Sequence, residues 1–333
     1  MLRLPTYRYH GPRRLAEAIE LLARFGTEAR VVAGGTDLIP NMKHRLFEPA
    51  HLIGLSRIEE LHGIEVSDGW LTIGAAETLS SIATAPAVLA SAPALAEAAR
   101  HVAGPQIRNR ATIGGNLCLD TRCTYYNQTE FWRGALGYCL KKDGDTCHVT
   151  RVGKKCVAAH SADTPPVLMV MDAELDVSGV DGSRTVPVRE LFVADGIRNL
   201  RLQHGEILSR IRIPVRTKTH AVYRKLRQRG AVVFPLLTVV VAAEYQDDGR
   251  WTDVRGVVTG LGSRPRALTG WDAIAVGGRL DDDVIDGLAQ RAHAQCHPLE
   301  NMIVDPDWRR AMVPVEISRA LRTLREAAVA QVR

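Results

Sequence analysis

Leu15, Ile19, Leu22 and Phe25 recur at helical spacing, so residues 13–25 are expected to form an amphipathic helix with Gly26 as its stop. Ala29 to Ala33 reads as a short strand that ends in Gly34-Gly35-Thr36-Asp37, and residues 38–46 read as a helix. This helix–strand–glycine turn–helix order is how an α/β layer begins. Residues 70–76 have the pattern of a strand, and Thr78 suits the N-cap of a helix starting at Leu79. Pro93 opens a further helix through Leu95, Ala98, Ala99 and Val102, which Gly104-Pro105 ends. Residues 111–118 read as a strand running into a turn. Periodicity is then lost over residues 119–160, which are rich in Gly, Lys, Cys and aromatic side chains. Regular structure resumes at residues 168–171 and at 173–177, the latter alternating apolar and polar like a half-buried strand.

The polar, patternless stretch at residues 214–220 marks a boundary. Beyond it, strands are predicted at 221–226, 236–244 and 251–261, and helices at about 281–296 and 307–328. The expected fold is α+β: a first domain over residues 1–214 and a C-terminal α+β domain over 215–333. The first domain divides into a small α/β part (about 1–60) and a mixed or antiparallel α+β part (61–214) that carries the long insert, about 119–160. No internal repeat or low-complexity tract interrupts this plan.

Composition narrows the classes of function. With 46% apolar and 24% charged residues, the chain reads as an ordinary soluble protein. Its 43 basic and 37 acidic residues are spread along the chain, and no basic stripe with interleaved aromatics suggests a nucleic-acid partner. The start, Met1-Leu2-Arg3-Leu4-Pro5, lacks the apolar core of a signal peptide, and no run of 18 apolar residues exists to span a membrane. A cytoplasmic location is therefore expected. In that reducing compartment, clustered cysteines more often hold metal or do redox work than form disulfides. Five of the six cysteines, Cys118, Cys123, Cys139, Cys147 and Cys156, fall between Gly115 and Pro165.

Two glycine turns carry candidate chemistry, Ala33-Gly34-Gly35-Thr36-Asp37 and Ile113-Gly114-Gly115-Asn116. Glycine lets the backbone approach a pyrophosphate closely, and its N–H groups can form an anion-binding nest. A helix N-terminus after the first turn adds a favourable dipole. Neither turn has the G-x-G-x-x-G form of a Rossmann unit, and a Gly-Gly turn taken alone is a common connection.

Three segments, Val31 to Leu38, Gln106 to Asn116 and Asp163-Thr164-Pro165-Pro166-Val167-Leu168, resemble the FAD-binding (medium) subunits of the xanthine oxidase or molybdenum hydroxylase family. The resemblance continues at Tyr223-Arg224-Lys225 with Arg229, and from Asp307-Trp308-Arg309-Arg310 to Arg319-Ala320-Leu321. It implies that Val32, Ala33, Gly34, Gly35, Thr36 and Asp37, with Thr112, Ile113, Gly114, Gly115 and Asn116, hold the FAD pyrophosphate. It also implies that Asp163 binds ribityl or ribose hydroxyls, that Leu168 packs near the flavin ring, and that Lys225 lies at the isoalloxazine edge. One departure is Val233, in a neighbourhood where the family often has an acidic residue.

Most of the family follows Gly-Gly-Asn closely with the Asp-x-x-Pro segment, whereas here Asn116 and Asp163 are 47 positions apart. The intervening loop spaces Cys123, Cys139, Cys147 and Cys156 by fifteen, seven and eight residues. Four thiolates suit a [4Fe–4S] cluster and equally suit structural zinc. No Cys-x-x-Cys occurs, so spacing leaves cluster, zinc and free thiols all open. Tyr125, Tyr126, Phe131, Trp132 and Tyr138 could shield a cluster or simply pack the loop. Asp120 to Gln128 and Gly137 to Lys141 resemble the flavoprotein β subunits of 4-hydroxybenzoyl-CoA reductases. That resemblance implies a [4Fe–4S] cluster held by Cys123, Cys139, Cys147 and Cys156, with Cys118 and Cys296 outside the ligand set.

The expected function is that of an electron-transfer flavoprotein subunit with FAD and one [4Fe–4S] cluster. By resemblance it works beside a [2Fe–2S] small subunit and a molybdopterin large subunit, in a dimer of heterotrimers that removes a ring hydroxyl reductively. No residue is expected to act as a general acid or base. Seven basic residues in the insert (Arg122, Arg133, Lys141, Lys142, Arg151, Lys154 and Lys155) against three acidic ones suggest a docking surface for an acidic ferredoxin donor. Two rival readings remain: a conventional family member that passes electrons to NAD or oxygen, and a zinc-stabilised interaction module that has lost flavin.

Overall fold

A computed structural model of the chain describes residues 2–150, 153–246 and 250–332, the last five of these by backbone alone. Among the described residues the strands form three sheets.

The first unit holds β1 (Arg8–His10), α1 (Leu15–Phe25), β2 (Ala29–Val32), α2 (Leu38–Lys43) and β3 (His51–Gly54). Its sheet runs β1-β3-β2, with both pairings parallel. The helical stripe foreseen for α1 is what anchors it: Ala18 and Leu22 are buried against Ile53, Leu55, Ile58 and Leu61.

The second unit begins with the hairpin β4 (Ile64–Ser67) and β5 (Trp70–Gly74). Short helices follow: α3 (Leu79–Thr84), α4 (Pro86–Ser91), α5 (Pro93–Arg100), α6 (Pro105–Arg108) and α7 (Ile113–Leu117). Thr78 caps α3 as expected, its Oγ1 accepting from the Ser81 N–H at 3.1 Å. The insert contributes α8 (Glu130–Ala135) and is otherwise irregular. The unit ends with α9 (Thr164–Val170), β6 (Glu174–Gly179), β7 (Gly182–Pro187), α10 (Val188–Leu191) and β8 (Ile207–Pro214). Its five-stranded sheet has the order β4-β5-β8-β6-β7, antiparallel throughout.

One local expectation is corrected here. Residues 111–118 do not form a strand: Gly114 and Gly115 lie inside α7, and Thr112 caps it by accepting the Gly115 N–H at 3.0 Å. The apolar Ile113 and Leu117 are four apart and share one buried face, and this spacing outweighs the strand propensity of Thr-Ile.

The third unit holds β9 (Thr219–Leu226), β10 (Leu237–Tyr245), β11 (Trp251–Thr259), β12 (Arg266–Ala267), α11 (Asp272–Ala275), α12 (Asp282–Gln295) and α13 (Pro306–Val332). Its antiparallel sheet has the order β12-β11-β10-β9. β10 explains how the second and third units join. Leu237, Val239, Val241 and Ala243 face a core shared with α12 and α13, whereas Val240 and Ala242 face the core of the second unit. A strand covered on both faces needs an unbroken apolar run, which Leu237 to Ala243 nearly supplies. No helix among the described residues is long and apolar enough to cross a membrane.

Candidate functional site

The two glycine turns, far apart in sequence, are brought together by backbone contact. Gly34 lies against the backbone of Arg110 and Ala111 so closely that a Cβ would collide with the Arg110 carbonyl oxygen. Gly114 packs on the end of β5, where a Cβ would sit 2.8 Å from the Ala75 carbonyl oxygen. Gly35 has φ +73°, the left-handed region that only glycine enters freely.

Between the turns lies a cleft of about 660 Å³, within the range of small-molecule sites. Val32, Ala33, Gly34, Gly35, Thr36 and Asp37 line it, as do Thr112, Gly114, Gly115, Asn116 and Asp163. Three expected site residues sit elsewhere. Ile113 and Leu168 are sealed in the core of the second unit. Lys225 stands behind Asp163, with its Nζ 3.0 Å from the Asp163 Oδ2 and 3.0 Å from the His101 carbonyl oxygen.

The turns differ in the donors they offer. The N–H groups of Gly34, Gly35, Thr36 and Asp37 have no hydrogen-bond partner among the described residues. Those of the second turn are engaged: Ile113 donates to the Glu77 carbonyl, Gly114 to Ala75, Gly115 to the Thr112 hydroxyl and Asn116 to the Thr112 carbonyl. The second turn is therefore not an open nest. Asn116 is occupied as well, its Oδ1 accepting the Thr164 N–H at 3.1 Å and the Thr164 hydroxyl at 2.7 Å, which ties α7 to α9.

Asp163 closes the inner wall. Burial pushes its carboxyl upward, while the Lys225 charge and the Tyr223 hydroxyl, 2.6 Å from Oδ1, pull it back in part. Several cleft residues escaped sequence reasoning. Ser161 Oγ is buried, lines the cleft and has no hydrogen-bond partner. Its position two residues before Asp163 was the available signal. Arg122 pairs with Asp37, lies over the Phe234 ring at 4.8 Å and donates to Asn41 Oδ1 at 3.3 Å. Val233, the departure from the family pattern, also lines the cleft. Open N–H donors on a glycine turn, an orphaned hydroxyl and apolar walls at Leu61, Ala76, Ile207 and Leu208 together fit a dinucleotide.

The insert closes on itself at its neck, where Arg122 and Ala159 exchange backbone hydrogen bonds at 2.8 and 2.6 Å. Within it, Cys123, Cys139, Cys147 and Cys156 all line one small cavity of about 20 Å³, with Tyr125, Tyr126, Lys141 and His148. Among the described residues no group of three or more His, Cys, Asp or Glu that could hold a metal ion is found. The four thiols line this common space, a donor set that suits structural zinc and a [4Fe–4S] cluster alike. The space has room for about one water, so its walls must part to admit a larger group.

The cysteines differ in electrostatics. Burial raises the Cys123 thiol and pushes Cys156 up to about 11. Burial also opposes the Cys147 thiolate, but the Thr150 hydroxyl and the N–H groups of Thr150, Val149 and Val157 outweigh it and bring Cys147 below its ordinary value. N–H donors aimed at sulfur are how proteins stabilise thiolate ligands of a cluster. Cys118 lines the flavin-sized cleft and not the cysteine cavity, and burial pushes it up to about 12. Cys296 is sealed in the C-terminal core.

The basic surface expected on the insert is largely absent. Arg133 is buried and donates to the His44 and Gln128 carbonyls at 2.9 and 2.7 Å and to the Glu130 carboxylate. Arg122 and Lys141 are ion-paired inside, Lys142 pairs with Asp143, and Lys154 and Lys155 are exposed. Arg151 lies outside the described residues. Of the aromatic side chains, Tyr125 and Tyr126 reach the cavity, whereas Phe131 is 88% exposed.

A family model described as the FAD binding domain in molybdopterin dehydrogenase matches residues 5–216, and one for the CO dehydrogenase flavoprotein C-terminal domain matches residues 221–324. The carbon monoxide dehydrogenase medium chain of Hydrogenophaga pseudoflava is 29% identical over 319 residues, covering 95% of this chain and 96% of that one. A xanthine dehydrogenase FAD-binding subunit of Escherichia coli is 30% identical over 251 residues, 74% of this chain and 71% of the relative. The solved carbon monoxide dehydrogenase of Hydrogenophaga pseudoflava that lacks the Mo-pyranopterin moiety superimposes with a TM-score of 0.79 at 28% identity, covering 96% of this chain and 97% of that one.

Proposed function

From the premise that this chain belongs to the FAD-binding medium subunits of the molybdenum hydroxylase family, we propose that it is the electron-relay subunit of a 4-hydroxybenzoyl-CoA reductase-type complex. In this reading it binds FAD in the cleft and a [4Fe–4S] cluster at Cys123, Cys139, Cys147 and Cys156. It stands between a low-potential donor of the ferredoxin kind and the [2Fe–2S] and molybdopterin centres of partner subunits, in a dimer of heterotrimers. Reductive removal of a ring hydroxyl takes place on the partner.

The observation that carries the reading is the gathering of four thiols around one cavity, in an insert rooted in the wall of the cleft. When bound, FAD supplies a carrier for one or two electrons and a cluster supplies a carrier for single electrons. The chain's own residues bind and orient. The open N–H groups of Gly34 to Asp37 would hold the pyrophosphate. Ser161 and Asp163 would take sugar or ribityl hydroxyls, the carboxylate as acceptor and the serine as donor. Lys225 would keep Asp163 charged and hold positive charge behind the cleft wall. Lys142, Lys154 and Lys155 are what remains of a donor-docking charge.

A second reading is favoured by the relatives, which carry the names of carbon monoxide and xanthine dehydrogenases. In it the chain passes electrons onward to NAD or oxygen and the insert has a structural role. Anaerobic purification with the partner subunits, followed by assay of FAD, iron, acid-labile sulfide and zinc in wild type and Cys139→Ser, separates the two. About four iron atoms per chain beyond those of the partners, lost in the variant, support the reductase-type reading. FAD with zinc, or with no metal in the insert, overturns it.

A further inference from the structure

Lys141, a surface charge by sequence count, is a buried cation between the two cavities, with only 5% of its side chain exposed. It lines the cysteine cavity and lies 4.4 Å from the centre of the Tyr126 ring. Its ammonium is held by four acceptors: Asp120 Oδ1 at 2.6 Å, Thr121 Oγ1 at 2.5 Å, the Gly196 carbonyl at 2.7 Å and the Thr121 carbonyl at 3.2 Å. Asp120 in turn lines the flavin-sized cleft, and its Oδ2 accepts the Tyr126 hydroxyl at 2.9 Å.

The partition between the cavities is thin. Asp120 and Arg122 face the cleft, while the next residue, Cys123, faces the cysteine cavity. On the other side, Gly196 touches the cysteine site so closely that a Cβ would lie 2.6 Å from Cys156 Sγ, yet Ile197 and Asn199 line the cleft. Lys141 and Asp120 therefore form one ion pair whose two ends sit at different sites.

We propose that Lys141 is a positioning residue that sets the potential of the cysteine site, and that its pairing with Asp120 couples the charge of that site to the flavin cleft. This rests on the reading that the four cysteines hold an iron–sulfur cluster. Thiolate ligation places negative charge in a buried space, which is costly without a nearby cation. In a bound cluster each electron from a one-electron donor would add one further negative charge, which would be lost when the flavin took the electron. A fixed cation favours the more negative, reduced state, whereas the Asp120 carboxylate opposes it.

The test is a redox titration of the purified complex, with the cluster followed by electron paramagnetic resonance and the flavin by absorbance. Iron and sulfide are counted in wild type, Lys141→Gln, Lys141→Arg and Asp120→Asn. Lys141→Gln is expected to lower both midpoints and Asp120→Asn to raise both. The cluster should move by at least tenfold in its electron-transfer equilibrium, about 59 mV for a one-electron couple, and Lys141→Arg should restore it. Unmoved midpoints with iron retained overturn the inference while leaving the cluster reading intact. If Lys141→Gln loses its iron, Asp120→Asn decides: a raised midpoint supports the coupling and an unchanged one overturns it. A wild type without iron in the insert overturns the cluster reading, and this inference with it.

Discussion

Lys225 Nζ lies 3.0 Å from Asp163 Oδ2, with 2% and 4% of the two side chains exposed, and the pair joins β9 of the third unit to the start of α9 in the second. A buried pair of this kind is weak proof of net stabilisation, but breaking it is costly because one charge is left uncompensated. Lys225→Met is therefore expected to lower unfolding free energy by about 3–5 kcal/mol at neutral pH. The Asp163 carboxyl, already raised by burial, should rise further in that variant. Urea denaturation of Lys225→Met, Asp163→Asn and the double variant measures the coupling. A double variant no more stable than Lys225→Met would show that the stranded carboxylate is not the cause.

Gly34 and Gly35 are adjacent but constrained for different reasons, so their alanine variants should differ. A Cβ on Gly34 meets the rigid backbone of Arg110 and forces the two turns apart. A Cβ on Gly35 meets side chains alone, Ile39 Cγ1 at 3.2 Å and Val32 Cγ2 at 3.5 Å, and pays mainly for φ +73°. Gly34→Ala is expected to cost about 1–3 kcal/mol from overpacking and to abolish flavin retention through gel filtration. Gly35→Ala is expected to cost about 1–2 kcal/mol and to leave part of the flavin bound. Equal flavin content in the two variants would contradict the idea that the apposition of the turns makes the cleft.

How far the sequence reached can be seen at particular residues. Leu15, Ile19, Leu22 and Phe25 announce α1 because a 3.6-residue period needs no partner to be recognised. The apolar run of β10 was equally legible. The Asp68-Gly69 turn between β4 and β5, with φ of 49° and 79°, is a strong two-residue hairpin signal, yet the sequence reading named only the strand after it, 70–76, and missed β4. Other features depend on contacts between distant segments. That Lys141 is buried depends on Asp120 and Gly196 standing beside it. That the Asn116 Oδ1 is taken by Thr164 depends on α9 arriving after a long insert. The meeting of four irregularly spaced cysteines depends on the Arg122–Ala159 neck.

His160 offers a test by pH. It is buried, with Nδ1 3.2 Å from the Thr259 hydroxyl, and burial lowers its pKa from 6.5 to about 3. Between those values the unfolded chain binds a proton that the folded chain refuses. The contribution of neutral His160 is therefore complete above the unfolded value and is lost as pH falls toward the folded one. The slope expected from this group is about 1.4 kcal/mol per pH unit within that window. His160→Gln should remove that part of the slope, so that unfolding free energies of variant and wild type converge as pH is lowered from 7 to 4.5. Parallel pH profiles would mean that the imidazole becomes protonated in the folded chain.

Cys118 and Cys296 provide the internal control for the ligand set. Cys118 stands in the wall of the cleft and Cys296 in the C-terminal core, and neither lines the cavity shared by Cys123, Cys139, Cys147 and Cys156. Serine at Cys118 is expected to leave the iron content of the complex unchanged while altering flavin affinity modestly. Serine at Cys296 buries a hydroxyl among Ala289, Ala292 and Val313, and should cost about 1–3 kcal/mol in unfolding free energy with no loss of iron. Serine at any of the other four should strip the insert of iron, since a cluster of this kind needs all its thiolates. Iron lost from Cys118→Ser and retained in one of the four would exchange those two residues in the ligand set. The insert would then have to fold back toward the cleft, and the partition formed by Asp120, Arg122 and Lys141 could not stand where it does.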